Sequence, residues 1–108
     1  MSYSNKEVTS MLQRTNQAKE VNQTIADIIV AEVRAYFRKT GDKTRSYDEF
    51  AIEEIAKRCG YNEACFQVST WGVAQALNSV KGINARYDNT SFQIGPCEWL
   101  EQIHIELD

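Results

Sequence analysis

Residues 50–61 have the sequence FAIEEIAKRCGY. Apolar residues recur in this segment at three- and four-residue steps, the spacing that places side chains on one face of a helix. We expect this face to point into the protein: Phe50, Ile52, Ile55, Ala56 and Cys59. Signals for both helix ends are present, because Ser46 and Glu49 match a capping box and Gly60 can supply a left-handed C-terminal cap.

A further helix is predicted downstream, after a turn that begins at Gly60. Ser69 or Thr70 can cap its start, and Gly82 suits its end. Residues 63–68 could add an extra helical turn. The expected core positions of this helix are Trp71, Val73, Ala74, Leu77 and Val80.

From Ile83 onward the apolar period changes from helical to alternating. The turn residues 88–90 and the apolar pair Phe92 and Ile94 then predict a β-hairpin over residues 83–94, which Gly95-Pro96 ends. Residues 97–107 fit both a helix and a strand, and their pattern favours a short helix that leads into a strand.

Upstream, residues 24–40 predict the longest helix, followed by a polar loop over residues 41–45. Its apolar positions lie on one stripe: Ile25, Ile28, Ile29, Val33, Tyr36 and Phe37. Thr24 with Asp27 resembles a capping box, and Gly41 suits the stop. A weaker stripe over residues 8–21 leaves three alternatives open, namely a helix that packs against a partner chain, an extension of the first helix, or a mobile arm.

This order of elements, with FAIEEIAKRCGY and the later VAQALNSVKGI of residues 73–83, resembles the winged helix-turn-helix superfamily of DNA-binding domains. The resemblance covers roughly residues 25–95, and its turn from Gly60 to about Ser69 is longer than the family's usual one. It implies a mainly helical α+β fold with a C-terminal β-hairpin. We expect an N-terminal helical extension or arm in residues 1–23, a winged-helix core in 24–95, and an acidic segment in 96–108 that packs on the core.

The resemblance also implies that the third helix reads the major groove of duplex DNA while the hairpin lies near a flanking groove or the backbone. Amides such as those of Gln75 and Asn78 can form paired hydrogen bonds with adenine, and Lys81 and Arg86 could reach phosphates. The expected DNA-binding residues are Gln67, Ser69, Thr70, Gln75, Asn78, Ser79, Lys81 and Arg86.

Charge is distributed unevenly along the chain, although the net charge is only −3. Residues 1–45 have a net charge of +3 and residues 46–108 a net charge of −6. No Asp or Glu lies between Glu63 and Asp88, which favours DNA contact by the third helix and the hairpin. A second basic group lies at the end of the first long helix and in the following loop: Arg34, Arg38, Lys39, Lys43 and Arg45. It could add to the DNA-binding surface, or it could simply be the positive charge that is usual at the C-terminal end of a helix. Residues 88–108 contain acids and no Lys or Arg, so phosphate would repel them.

Metal and catalytic sites are not expected. The potential zinc ligands Cys59, Cys65, Cys97 and His104 lack the close pairs typical of structural zinc sites, so buried free thiols are favoured. His104 is the single histidine, and nothing in the sequence indicates that a cysteine near it is activated. We therefore expect no cofactor and no enzymatic activity.

The length of 108 residues predicts one domain, and no apolar run approaches the ~20 residues of a membrane-spanning helix. The default compartment is the cytoplasm. The aromatic residues are expected in the core, except Tyr61 and Tyr87, which could lie on a contact surface: Tyr36, Phe37, Phe50, Phe66, Trp71, Phe92 and Trp99.

Two functions are compatible with these patterns. The first is a small DNA-binding regulator that forms a homodimer through its N-terminal segment or its tail. The second is a protein-binding adaptor, or an inhibitor of the kind that phages and mobile elements encode, which acts through its acidic surface on a basic partner.

Overall fold

The computed structural model describes residues 5–61 and 68–108, with side chains from residue 18 onward. The chain adopts an α+β fold of three described helices and a three-stranded antiparallel sheet, with a small two-stranded ribbon. The elements in chain order are α1 (Asn5–Thr40), β1 (Thr44–Asp48), α2 (Glu49–Arg58), α3 (Thr70–Asn78), β2 (Ile83–Asp88), β3 (Gln93–Gly95), β4 (Glu98–Trp99) and β5 (Gln102–Leu107).

Helix α1 is continuous, so in the described residues the segment before Thr24 extends the first helix. The predicted cap at Thr24 is wrong, because its hydroxyl donates to the Glu20 carbonyl inside the helix. Gly41 ends α1 as predicted. It has φ +76°, a conformation that glycine adopts without steric cost.

The sheet has the order β1-β5-β2, so the last strand lies between the other two. Ser46 pairs with His104 on one side, and Arg86 pairs with the same His104 on the other. The predicted hairpin over residues 83–94 is therefore wrong, because β2 pairs with β5 and the segment around Ile94 instead forms the β3-β4 ribbon. The short helix favoured after Cys97 is also wrong, since residues 98–99 and 102–107 are strands.

Strand β1 was not predicted, because residues 41–45 have the composition of a loop. Its last residue, Asp48, caps α2 by accepting a hydrogen bond from the Ala51 amide at 2.8 Å. The expected capping box of Ser46 and Glu49 is therefore wrong by two residues. Ser69 caps α3 as predicted, accepting from the Gly72 amide at 3.0 Å.

The core lies between the three helices and one face of the sheet, where it combines these buried side chains: Val21, Ile25, Ala26, Ile29, Val30, Val33, Tyr47, Ile52, Ile55, Ala56, Val73, Ala74, Leu77, Ile83, Ala85, Ile103 and Ile105. Several predicted core positions are confirmed, but the large aromatic ones are not. Phe50, Trp71, Phe92 and Trp99 are exposed: the first two lie off the buried stripes of α2 and α3, and the other two belong to the β3-β4 region, whose strands contain no buried residue. Tyr36 and Phe37 are half-buried.

Two contacts hold other elements close to α1. A Cβ on Gly72 would collide with the Asn22 side chain, so α3 approaches α1 where glycine leaves room. The Tyr47 hydroxyl donates to a Glu32 carboxylate oxygen at 2.8 Å and ties β1 to α1. Burial and this hydrogen bond raise the pKa of Tyr47 well above its usual range.

Candidate nucleic-acid interface

Three exposed side chains form one stripe along α3. Trp71, Gln75 and Ser79 follow one another at four-residue steps, which places them on the same side of a helix. The opposite side of α3 carries Val73, Ala74 and Leu77 and is buried against the core. Lys81, in the turn that follows, is also exposed. We call Trp71, Gln75, Ser79 and Lys81 the α3 stripe.

The structure brings together only part of the predicted DNA-binding set. Gln75, Ser79 and Lys81 lie on the α3 stripe, and Ser69 is exposed at its start. Thr70 is buried, so it is not available to a base or a phosphate. Gln67 lies outside the described residues.

Asn78 is the clearest departure from the expected readout. Its amide nitrogen donates to the Ala85 carbonyl at 2.8 Å, and its amide oxygen accepts from the Ala85 N–H at 2.8 Å. This is the same donor and acceptor pair that would bind adenine. The side chain therefore joins α3 to β2 instead of facing a ligand.

Arg86 also departs from the predicted arrangement. Strand residues alternate between faces, and the neighbour Ala85 points into the core. Arg86 therefore lies on the outer face of the sheet, away from the side on which α3 packs. It does not join the α3 stripe.

Trp71 is a residue of this surface that the sequence pattern did not reveal. Its side chain is 56% exposed, although its position beside Val73 and Ala74 predicted burial. The signal that could have found it is the four-residue spacing to Gln75 and Ser79, which are polar.

The β3-β4 ribbon forms a second exposed surface of different chemistry. Phe92 is 56% exposed, Trp99 46% and Ile94 45%, and the carboxylate-bearing Glu98 is exposed beside them. No Lys or Arg follows Arg86 in the sequence. We call Phe92, Ile94, Glu98 and Trp99 the apolar ribbon.

The base of the ribbon is held by hydrogen bonds of two side chains. The Asp88 carboxylate is buried and accepts from the Thr90 amide at 2.9 Å, from the Ser91 hydroxyl and from the His104 ring. The hydrogen bonds from Ser91, Thr90 and His104, in that order of effect, hold the pKa of Asp88 well below its usual range. Burial and the hydrogen bond to Glu101 raise the pKa of Tyr87 to about 12.

His104 also contacts Ser46, so it links two strands. The Ser46 hydroxyl lies 2.7 Å from Nδ1 of His104, and Nε2 of His104 lies 3.0 Å from an Asp88 carboxylate oxygen. The sequence did not indicate this cluster, because its three members lie on strands that are far apart along the chain. Only the β1-β5-β2 order brings them side by side.

Metal ligation finds no support in the described ranges. The side chains described, those of residues 18–61 and 68–108, include no group of three from His, Cys, Asp or Glu that could hold an ion. Cys59 and Cys97 are free thiols, and Cys65 lies outside the described residues. No described helix is long and apolar enough to cross a bilayer.

No protein-family model, no curated protein and no solved structure matches this chain.

Proposed function

We propose that this protein is a winged-helix DNA-binding protein that contacts duplex DNA with its α3 stripe. The exposed, acid-free surface of α3 carries this proposal. From Val68 to Tyr87 the only charged residues are Lys81 and Arg86, so no carboxylate opposes phosphate there. Gln75 offers a donor and an acceptor for a base edge, and Trp71 offers apolar contact to a thymine methyl.

The order of the elements supports the winged-helix part of the proposal. A helix, a strand, two helices and a strand precede a ribbon, and the final strand returns between the other two. The β3-β4 ribbon then takes the place of the wing. In such domains the third helix enters the major groove, which α3 can do with its exposed side.

The proposal is tested by fluorescence anisotropy with a labelled duplex of random sequence at about 50 and 200 mM salt. We expect affinity to fall steeply with salt. Lys81→Ala should reduce the slope of log K against log salt by about 0.9, the value for one phosphate contact. Lys57→Ala is the matched control, because Lys57 is an exposed cation on α2, outside the α3 stripe. Equal slopes for the two variants would contradict the proposed interface.

Recognition of a specific base sequence by the α3 stripe is tested with a duplex that has been selected from a random pool for tight binding. On this duplex, Gln75→Ala should weaken binding by about 1–3 kcal/mol, and it should weaken binding to random DNA less. Gln23→Ala is the control, since Gln23 is an exposed glutamine on α1.

The apolar ribbon favours a second candidate function, a protein-binding module. Exposed apolar residues beside carboxylates suit a partner that is both apolar and cationic, and they do not suit a phosphate backbone. Absence of duplex binding at about 50 mM salt would favour this function over the first.

A further inference from the structure

Ser46, His104 and Asp88 form a continuous chain of hydrogen bonds across the outer face of the sheet. Ser46 is on β1, His104 directly opposite it on β5, and Asp88 at the end of β2. The distances are 2.7 Å from the Ser46 hydroxyl to Nδ1 and 3.0 Å from Nε2 to the Asp88 carboxylate. A hydroxyl, an imidazole and a carboxylate in this order are the components of a serine nucleophile with its base.

The hydrogen bonds fix which nitrogen of His104 carries the proton. An ionised carboxylate only accepts hydrogen bonds, so Nε2 is the protonated nitrogen that donates to Asp88. In the neutral ring, Nδ1 then has a free lone pair, which accepts the proton of the Ser46 hydroxyl. The sheet therefore aims the serine proton at a base, and the buried carboxylate stabilises the imidazolium that would form.

The surroundings leave the hydroxyl accessible. Ser46 is exposed and lines an open cavity of about 810 Å³ on the outer face of the sheet. Arg86 pairs with His104 across β2 and β5 and lines the same cavity. Its guanidinium forms no ion pair with any residue of the described segments, so its charge is available to a negative oxygen. Glu106 also lines the cavity and lies further along β5.

We propose that Ser46 is a nucleophile that accepts acyl groups from small activated esters, with His104 as its base and Asp88 as the residue that positions His104. The Ser46 oxygen forms a bond to the acyl carbon while its proton passes to Nδ1 of His104. The bond from the acyl carbon to the leaving oxygen then breaks, and the leaving group takes the proton. Water, which gives a proton to His104, then attacks the acyl carbon. The bond from that carbon to the Ser46 oxygen breaks, the oxygen takes the proton from His104, and the acyl group leaves as a carboxylic acid. This site lies apart from the α3 stripe and does not depend on DNA binding.

The test uses 4-nitrophenyl acetate and the full-length protein, with the acetylated residue mapped by mass spectrometry. We expect an acetyl group on Ser46. Ser79 is an internal control, because it is also exposed but its hydroxyl donates to the Gln75 carbonyl. Labelling of the two serines at the same rate, or no labelling of Ser46, would overturn the proposal.

Variants of His104 show whether this residue acts as a general base or has only a structural role. His104→Gln should slow acetylation of Ser46 by about 100-fold, within the range of a general base. Imidazole added to His104→Ala should restore part of the rate, an effect that a purely structural role does not produce. An unchanged rate in His104→Gln, with native circular dichroism, would contradict the role of His104.

The role of Asp88 has its own readout. In Asp88→Asn, we expect slower acetylation and a change in the ¹⁵N chemical shifts of the His104 ring, because the amide no longer fixes the proton on Nε2. Unchanged ring shifts would contradict the positioning role. Ser46→Ala should abolish labelling and leave DNA affinity unchanged, so failure of this proposal is distinguishable from failure of the DNA-binding proposal.

Discussion

Asp88 is the residue on which several parts of the structure depend. Its side chain is buried and joins the end of β2 to the following turn, through Thr90 and Ser91, and to β5, through His104. A buried carboxylate is tolerated when several donors surround it. Loss of its charge would weaken these hydrogen bonds, because an ionised carboxylate is a stronger acceptor than a neutral carboxyl or amide group.

The depressed pKa of Asp88 predicts a specific dependence of stability on pH. Its folded pKa lies below the unfolded value of about 3.9, so its contribution to stability is present above that value and is lost as the pH falls from there toward the folded pKa. Asp88→Asn should lower the thermal midpoint at pH 7 and reduce the further loss of stability on acidification. Asp108→Asn is the control, since that exposed side chain makes no hydrogen bond within the described part of the molecule. Parallel acid curves for Asp88→Asn and the native protein would contradict this assignment.

At the scale of elements, local signals located the helices and several of their ends, although the caps predicted at Thr24 and Ser46 were wrong, and they were insufficient for the sheet. Ser69, Gly41 and Gly60 act as the predicted ends, because capping depends on residues within one turn. The pairing of Ser46 with His104 joins residues 58 positions apart, and no local pattern reports such a distance. The hairpin over residues 83–94 was predicted because neighbouring strands usually pair, whereas β2 pairs with a strand that begins at residue 102.

The candidate site shows the same division. Periodicity predicted the exposed positions Gln75 and Ser79 correctly, because they lie opposite an apolar stripe. It could not indicate that Asn78 bonds to Ala85, since that contact requires β2 to lie beside α3. Trp71 was predicted in the core because it is large and apolar. These properties do not show which side of α3 packs against the rest of the protein, and Trp71 lies on the exposed side.

The contact between α3 and β2 gives an element-scale prediction. Asn78→Ala removes two hydrogen bonds to the Ala85 backbone and leaves those polar groups without their partner. We expect a loss of about 1–3 kcal/mol in the free energy of unfolding, measured by urea denaturation. Gln75→Ala, on the exposed side of the same helix, should change stability by less than about 0.5 kcal/mol. Equal effects of the two substitutions would show that Asn78 does not stabilise the fold.

At the scale of the whole molecule, charge is distributed unevenly along the chain. The half up to residue 45 has a net charge of +3, whereas the sheet strands and the ribbon belong largely to the half with −6. The α3 stripe lies in an acid-free stretch, residues 64–87, within the half with −6. The molecule measures 54 × 36 × 24 Å, and its longest dimension matches the length of about 54 Å expected of the 36-residue α1.

Exposure of the ribbon predicts that it contributes to function more than to stability. The double variant Phe92→Ser and Trp99→Ser should change the free energy of unfolding by less than about 1 kcal/mol, because about half of each residue's surface is already exposed to water. It should also reduce the fluorescence of a dye that binds exposed apolar surface. Ile103→Ala, at a fully buried position of the central strand, should cost about 2–5 kcal/mol in the same assay. A comparable loss in the ribbon variant would assign the ribbon to the fold.

The central position of β5 has a consequence for the order in which the protein is made. A nascent chain that has emerged as far as residue 100 contains β1 and β2 but lacks the strand that joins them. The helices can pack during synthesis, since their contacts lie within the earlier part of the chain, whereas the sheet must wait for residues 102–107 to leave the ribosome. Until then, Tyr47, Ile83 and Ala85 cannot pack beside β5. We expect the nascent chain to be most accessible to chaperones and proteases during this interval.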